Sequence, residues 1–298
     1  MDLSIIIPAY TSGRVISDLF LRIKDELSGK YSFEVLFIFD KGTEDTQKIL
    51  ESLEHDYPDL IRCFYLSENY GQHRAIQFGF GMAEGNYIIT MDEDLQHDPA
   101  DITRLIFKQK QENYDIVYGK FNNLQHAGIR NSASTILRKI LKILLPVLFD
   151  NYSPYRLIKH DVAVKVANMV SSYVFIDDYL SRVSNHITFE SIDHYKRPEG
   201  KSAYTAGKLI KHVICIILAY SGLISWLLVC SLILLAACLA FFLIHLSQSG
   251  FLNAWNSDNT LIIKTISAGT ILIFLSLLGS LINHLNFIKN SKPVKYYT

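Results

Sequence analysis

Five short β-rich apolar runs alternate with stretches of helical period in the first part of the chain, and that alternation limits the folds available to it. Leu3 to Ile7 reads as a strand stopped by Pro8, and Val15 to Leu27 as a helix with Ile16, Leu19, Phe20 and Ile23 on one face. Phe33 to Phe39 is a second strand ending at Asp40. Lys41-Gly42-Thr43 turns the chain into a helix over Asp45 to Leu53. Ile61 to Leu66, Tyr87 to Met91 and Asp115 to Tyr118 complete the strands. Helices are expected over Arg74 to Met82 and, capped by Asp98 or Asp101, through Gln111. The order predicts an α/β domain, a mostly parallel sheet with helices on both faces. Ligands of such sheets gather beyond the carboxyl ends of the strands. Asp40, Asn69, Asp92 and Asp94 each fall just after a strand.

Tyr87 to Met91 is the strand that matters most, because Asp92-Glu93-Asp94-Leu95-Gln96 follows it. Carboxylates at i and i+2 supply hard oxygens for one Mg²⁺ or Mn²⁺, whose remaining positions go to water and phosphate oxygens. A lone Asp-x-Asp is equally a solvated acidic loop. The buried strand before it and Gln96-His97-Asp98-Pro99 after it favour the metal reading. His73, His97 and His194 read as turn or surface residues. Net charge is zero over 298 residues, so there is no basic footprint for nucleic acid. Met1-Asp2-Leu3 runs straight into a strand, so no cleavable leader is expected. Three of the four cysteines (Cys215, Cys230 and Cys238, but not Cys63) lie in the apolar tail and read as small hydrophobes.

The apolar residues concentrate after position 205. Ser221 to Leu246, about 26 residues, holds no Asp, Glu, Lys or Arg. At about 1.5 Å per residue it exceeds the roughly 30 Å hydrocarbon core of a bilayer. Ile266 to Ile282 is a weaker span. Leu209, Ile210, Val213, Ile214 and Ile217 recur at helical spacing opposite Lys208, Lys211 and His212, as in an interfacial helix. Lysines flank the two spans on the outer sides (Lys201, Lys208, Lys211; Lys289, Lys292, Lys295), and Ser247 to Asn259 between them carries none. The expected organisation is a cytoplasmic domain at 1–205, an interfacial helix at 206–220, transmembrane helices at 221–246 and 260–285 joined by an extracytoplasmic loop at 247–259, and a cytoplasmic tail at 286–298. That places a multi-pass protein in the inner (cytoplasmic) membrane, in contact with its lipid.

Four stretches in order then carry a resemblance: Leu3 to Tyr10, Asn69-Tyr70-Gly71-Gln72-His73, Asp92 to Gln96, and Arg197-Pro198-Glu199-Gly200-Lys201-Ser202-Ala203-Tyr204. Together with the tail they resemble the family 2 glycosyltransferases of the GT-A (Rossmann-like) fold. Within that family the match is to the polyprenyl-phosphate sugar transferases, the branch of dolichyl-phosphate mannose synthase, the bactoprenol glucosyltransferases and the undecaprenyl-phosphate aminoarabinose transferases. The resemblance implies a nucleotide diphosphate-sugar donor, a polyprenyl phosphate acceptor and a homo-oligomer. Pro8, Ala9, Tyr10, Asp40, Asn69, Asp92 and Glu93 match the nucleotide-sugar site. Asp92, Asp94 and Gln96 match the metal motif, and Arg130, Ser134, Arg156, Arg197 and Ser202 match the acceptor-phosphate side. The chain departs from the family at Thr11-Ser12, at Lys41-Gly42-Thr43, at Glu68 and at Ala203, so donor identity stays open.

Chemistry separates the acceptors. A lipid phosphate is already ionised and needs cations, for which Arg130, Arg156 and Arg197 are suited. A hydroxyl of a lipid-linked saccharide needs a carboxylate base, for which Asp177 and Asp178 are the candidates. Two other classes remain: a non-catalytic membrane-tethered partner, and an Asp-x-Asp phosphatase, disfavoured because that motif belongs on the first strand.

Overall fold

The computed structural model describes residues 1–121, 153–170, 174–193 and 294–298, together with helical pieces at 229–233, 236–237, 240, 243–244, 268–271 and 273–279. The chain divides into two units. The first carries the sheet. Its elements are β1 (Leu3–Ala9), α1 (Val15–Leu27), β2 (Phe33–Phe39), α2 (Glu44–Asp56), β3 (Ile61–Leu66), α3 (Gln72–Met82), β4 (Tyr87–Thr90), α4 (Asp101–Glu112), β5 (Ile116–Phe121), β6 (Arg156–Lys159), α5 (His160–Ala167), α6 (Ile176–Val183), β7 (Ile187–Ile192) and β8 (Tyr296–Tyr297).

The strand order is β7-β5-β6-β4-β1-β2-β3-β8. The half read from the sequence, β4-β1-β2-β3, is parallel throughout. The other half is mixed: β6 runs antiparallel between β4 and β5, β7 is parallel to β5, and β8 is antiparallel on β3. The sheet is therefore less uniformly parallel than the alternation predicts, because strands from outside the alternating region join it.

Strand periodicity divides the core. Leu3, Ile5, Ile7 and Ala9 of β1 and Phe33, Val35, Phe37 and Phe39 of β2 face the buried sides of α1, α2 and α4. Ile6 of β1 and Leu36 and Ile38 of β2 face α3, α5 and α6. The parallel strands are thus largely apolar on both faces, as buried parallel strands are, with the buried Ser4 and Glu34, bonded to each other at 2.6 Å, as a polar exception on β1 and β2. Cys63 is one of these buried residues, with its thiol pushed far above the ordinary range by burial.

Pro8 does not stop β1, which continues to Ala9 paired with Phe39. The reason is geometric. The Ile6 carbonyl accepts the Met91 N–H and the Ala9 carbonyl accepts the Asp40 N–H, so Pro8 turns its missing donor to the side where β4 has already ended. The helix expected to be capped by Asp98 or Asp101 starts at Asp101 without a side-chain cap, and Asp98 instead accepts the Ala100 N–H.

The second unit is described only by short helical pieces. Their apolar side chains Val229, Leu232, Ile233, Leu243, Ile244, Ile271, Ile273 and Leu275 are exposed. Among the described residues no helix is long and apolar enough to cross a membrane. The segments expected at 206–220 and 247–259 lie outside the described residues, and those at 221–246 and 260–285 lie mostly outside them. Within the expected tail, Tyr296 and Tyr297 form a strand of the sheet.

Candidate active site

Four turns meet at the carboxyl ends of β1, β2, β3 and β4, and carboxylates hold them together. Glu93 is the first. Its two oxygens accept the N–H groups of Tyr10 (2.9 Å) and Thr11 (3.2 Å), which fastens the acidic turn after β4 to the turn after β1. Asp40 is the second. It is 5% exposed, and its oxygens accept the N–H groups of Tyr70 (2.7 Å) and Gly71 (2.8 Å). Burial raises the Asp40 carboxyl while these two bonds pull it back down. Gly71, at φ 87°, supplies the left-handed backbone that lets consecutive N–H groups face one carboxylate before α3 begins. The turn after β2 is pressed against the same place. The Thr43 N–H reaches the Tyr10 carbonyl at 3.0 Å, and a Cβ on Gly42 would fall 1.6 Å from that oxygen.

Asp92 and Asp94 sit between these anchors, each half-buried. The amide of Gln72, the first residue of α3, donates to Asp92 Oδ1. Burial, followed by the Asp94 charge, pushes the Asp92 carboxyl up to about 7, against the pull of Arg156 and Gln72. Asp94 Oδ1 accepts the Gln96 N–H at 3.1 Å. Between them and Gln96, Leu95 turns through left-handed backbone (φ 58°) with its side chain buried. That conformation costs a non-glycine residue about 1–2 kcal/mol. His97, 2% exposed, lies behind the turn with its Nδ1 3.5 Å from the Asp92 N–H and its ring packed on Tyr155 at 4.9 Å. It is a buried support rather than a surface histidine. His73 is half-buried on Phe175, with ring centroids 4.9 Å apart.

Arg156 is 1% exposed and lies within the sheet, at the start of β6. Its guanidinium forks onto Asp177 at 2.8 and 2.9 Å and also donates to Thr90 Oγ1 (3.1 Å) and the Pro154 carbonyl (3.2 Å). The Tyr118 hydroxyl adds a third bond to Asp177 at 3.0 Å. The expectation that Arg156 meets an acceptor phosphate therefore changes: its charge is turned inward, joining α6 to the end of β4. The two candidate bases change with it. Asp177 is taken by Arg156. Asp178, 7% exposed, is bonded to Arg182 at 2.8 Å, and burial raises its carboxyl above the ordinary range.

Of the other expected residues, Ala9 is buried, Pro8 and Gln96 are half-buried, and Tyr10 and Asn69 are exposed beside the carboxylates. Arg130, Ser134, Arg197 and Ser202 lie outside the described residues. The supporting roles of Gln72, His97 and Thr90 escaped the sequence reading. All three lay in stretches already singled out, Gln72 in the Asn-x-Gly-Gln turn, Thr90 in the strand before the acidic motif and His97 just after it, but their contacts were not legible there.

Comparison with known proteins fits this geometry. The family model described as Glycosyl transferase family 2 matches residues 4–166. The undecaprenyl-phosphate 4-deoxy-4-formamido-L-arabinose transferase of Pseudomonas fluorescens is 27% identical over 209 residues, 70% of this chain and 61% of that protein. The protein of the same name from Shewanella sediminis is 28% identical over 210 residues, 70% and 63% of the two chains. The chain thus spans less than two thirds of these relatives' length. Among solved structures, glucosyl-3-phosphoglycerate synthase from Mycobacterium tuberculosis superposes with a TM-score of 0.52 at 15% identity, covering 74% of this chain and 80% of that one. TarS from S. aureus in complex with UDP-GlcNAc gives 0.51 at 18%, covering 73% and 65%. The mannosyltransferase PcManGT from Pyrobaculum calidifontis in complex with GDP-Man and Mn²⁺ gives 0.50 at 15%, covering 93% and 86%. At such identities the likeness is one of fold: a GT-A-like mixed sheet with helices.

Proposed function

The chain belongs to glycosyl transferase family 2, and from that premise we propose that it is a membrane-anchored inverting transferase, moving a sugar from a nucleotide diphosphate-sugar, UDP-linked by preference, to polyprenyl phosphate. The observation that carries the reading is the Asp92–Asp94 pair, held at the end of β4 by Gln72 and by the Glu93 clasp on the Tyr10–Thr11 backbone. Mg²⁺ or Mn²⁺ suits that pair. Both donors are hard oxygens, and the ionised Asp92 is disfavoured by burial and by Asp94 until a cation arrives. Among the described residues no three His, Cys, Asp or Glu side chains converge on one point, so water and diphosphate oxygens would complete the shell. Such an ion would neutralise charge on the departing diphosphate.

In this reading Tyr10, Asn69 and the Asp40-held turn cradle the nucleotide. A lipid phosphate oxygen attacks the anomeric carbon from the face opposite the nucleotide diphosphate, which departs with the electron pair of the broken C–O bond. That oxygen is already ionised, so no base is needed. The engagement of Asp177 by Arg156 and of Asp178 by Arg182 supports this acceptor over a saccharide hydroxyl. Arg130, Ser134, Arg197 and Ser202 are assigned to the acceptor phosphate. The names of the relatives support polyprenyl phosphate. The charge-free run from Ser221 to Leu246 and the outward apolar side chains of the helical pieces support a membrane anchor with the catalytic unit on the cytoplasmic face. Assembly as a homo-oligomer belongs to the same reading.

Membranes containing the chain, incubated with a panel of radiolabelled nucleotide sugars and extracted with organic solvent, should carry label into a lipid released by mild acid. Label that enters only a saccharide hydroxyl, or no lipid at all, overturns the assignment. A sharper expectation concerns Glu93→Gln. A carboxamide cannot accept both N–H groups, and charge-assisted bonds contribute about 1.5–3 kcal/mol each. The variant should bind the nucleotide roughly tenfold or more weakly and melt only about 3–12 °C lower. Wild-type affinity would leave the clasp without a role.

A further inference from the structure

Residues 294–298 come from the far end of the sequence yet lie on the edge of the sheet that leads into the candidate nucleotide site. Tyr296 and Tyr297 pair antiparallel with Leu66 and Tyr65. The Ser67 N–H donates to the Lys295 carbonyl at 2.9 Å, so the pairing continues past β3 into the following turn. There the Lys295 N–H points at the Tyr70 hydroxyl (3.5 Å), which also lies 3.3 Å from Ser67 Oγ. The Tyr296 ring sits against Phe78 of α3 (4.7 Å) and Phe64 of β3 (5.7 Å), and Tyr297 stacks on Tyr65 at 5.4 Å with 13° between the planes. Val294 packs on the same core layer.

We propose that this strand is a positioning strap for the nucleotide site: its pairing with β3 sets the shape of the Asn69–Gln72 turn. The path is short and physical. Tyr70 is held on one side by its hydroxyl, near Lys295, and on the other by its N–H, bonded to Asp40. The next residue gives its N–H to Asp40 as well, and the one after that gives its side-chain amide to Asp92. Without the strap, β3 is a bare edge and Phe64 and Phe78 lose the ring that wedges β3 against α3. The turn is then fixed from the Asp40 side alone. A turn free to drift removes two donors from Asp40 and loosens the Gln72 contact with the metal pair. The strap is thus a positioning element, not a catalytic one. Its effect on the donor rests on the nucleotide-site reading above, whereas its effect on the turn does not.

The test uses the full chain in detergent beside Tyr296→Ala, Tyr296→Phe and a variant ending at Pro293. Hydrogen exchange reads the turn directly. The Tyr70 and Gly71 amides should exchange at least roughly tenfold faster in Tyr296→Ala and in the shortened chain, while β1 amides keep their protection and Tyr296→Phe behaves as the parent. UDP titration in Mn²⁺ should show weaker binding in the same two variants, and transfer assays a raised donor KM with kcat nearly unchanged. A synthetic peptide of residues 292–298 should restore all three readouts to the shortened chain. Wild-type exchange at Tyr70 and Gly71, or loss of protection spread evenly through β1, overturns the strap. Failure of the parent itself to bind UDP or any other nucleoside diphosphate overturns the nucleotide-site reading instead, and the exchange result then decides the strap alone.

Discussion

Asp92→Asn and Asp94→Asn each reduce transfer by more than about a hundredfold, the loss that follows removal of a group aimed at developing charge, and leave the sheet folded. A carboxamide is a poor ligand for a hard cation, and neither substitution touches the core. Folding should if anything improve in Asp92→Asn. The Asp92 carboxyl is pushed from an ordinary 3.8 up to about 7, by burial first and by Asp94 second, so its ionised form opposes folding. The sign follows from proton binding. Between those two values the folded chain holds a proton that the unfolded chain releases, so stability of the cation-free protein falls as pH rises through that window. Thermal melts of chelator-treated protein between about pH 4 and 7 should show this slope in the parent and a flatter one in Asp92→Asn. Undiminished transfer by both variants in chelator would sink the metal-dependent reading.

The second large effect is structural. Asp177→Asn and Arg156→Met should each cost about 3–5 kcal/mol, because each leaves the opposite charge buried and unmatched. At roughly 2–4 °C per kcal/mol for a domain of this size, melting should fall by about 6–20 °C. The double variant Arg156→Met/Asp177→Leu should recover much of the loss, since an apolar pair carries no desolvation cost. A melting temperature for Asp177→Asn within about 2 °C of the parent contradicts the anchor assignment. If that variant also lost about a thousandfold or more in rate while folded, Asp177 would be a general base and the acceptor a hydroxyl.

The parallel half of the sheet was legible because its strands are apolar on both faces and its helices repeat at helical spacing. Both signals are local. Arg156-Leu157-Ile158-Lys159 carries neither: two charged ends frame two apolar residues, and only its place between β4 and β5 makes it a strand. Tyr296–Tyr297 is shorter still and is defined entirely by β3. The acidic motif was visible from its type and its place after a strand. What each carboxylate does was not. Asp40 and Glu93 could be marked as site residues, yet their oxygens are occupied by backbone N–H groups from turns 30 and 83 residues away, pairings no spacing rule reaches. Arg156 misled for the opposite reason. Arginine beside an active centre suggests an anion, and the anion turned out to be Asp177 of the same chain.

β5 and β6 are direct neighbours in the sheet, although residues 122–152 separate them in the sequence. The two ends are riveted together: the Gly119 N–H donates to the Tyr155 carbonyl at 2.9 Å, and the Ser153 hydroxyl donates to the Gly119 carbonyl at 2.6 Å. In sequence, the segment between ends fixed in this way is a cassette. Loop-closure entropy alone adds only about 0.6 kcal/mol for doubling the length between two such fixed ends, and β5 and β6 keep their register whatever that length. Arg130 and Ser134 fall inside the cassette, while every carboxylate of the Asp92 cluster falls outside it. Under the acceptor assignment proposed above for Arg130 and Ser134, grafting this one segment between relatives should exchange acceptor preference and leave the handling of the nucleotide as it was.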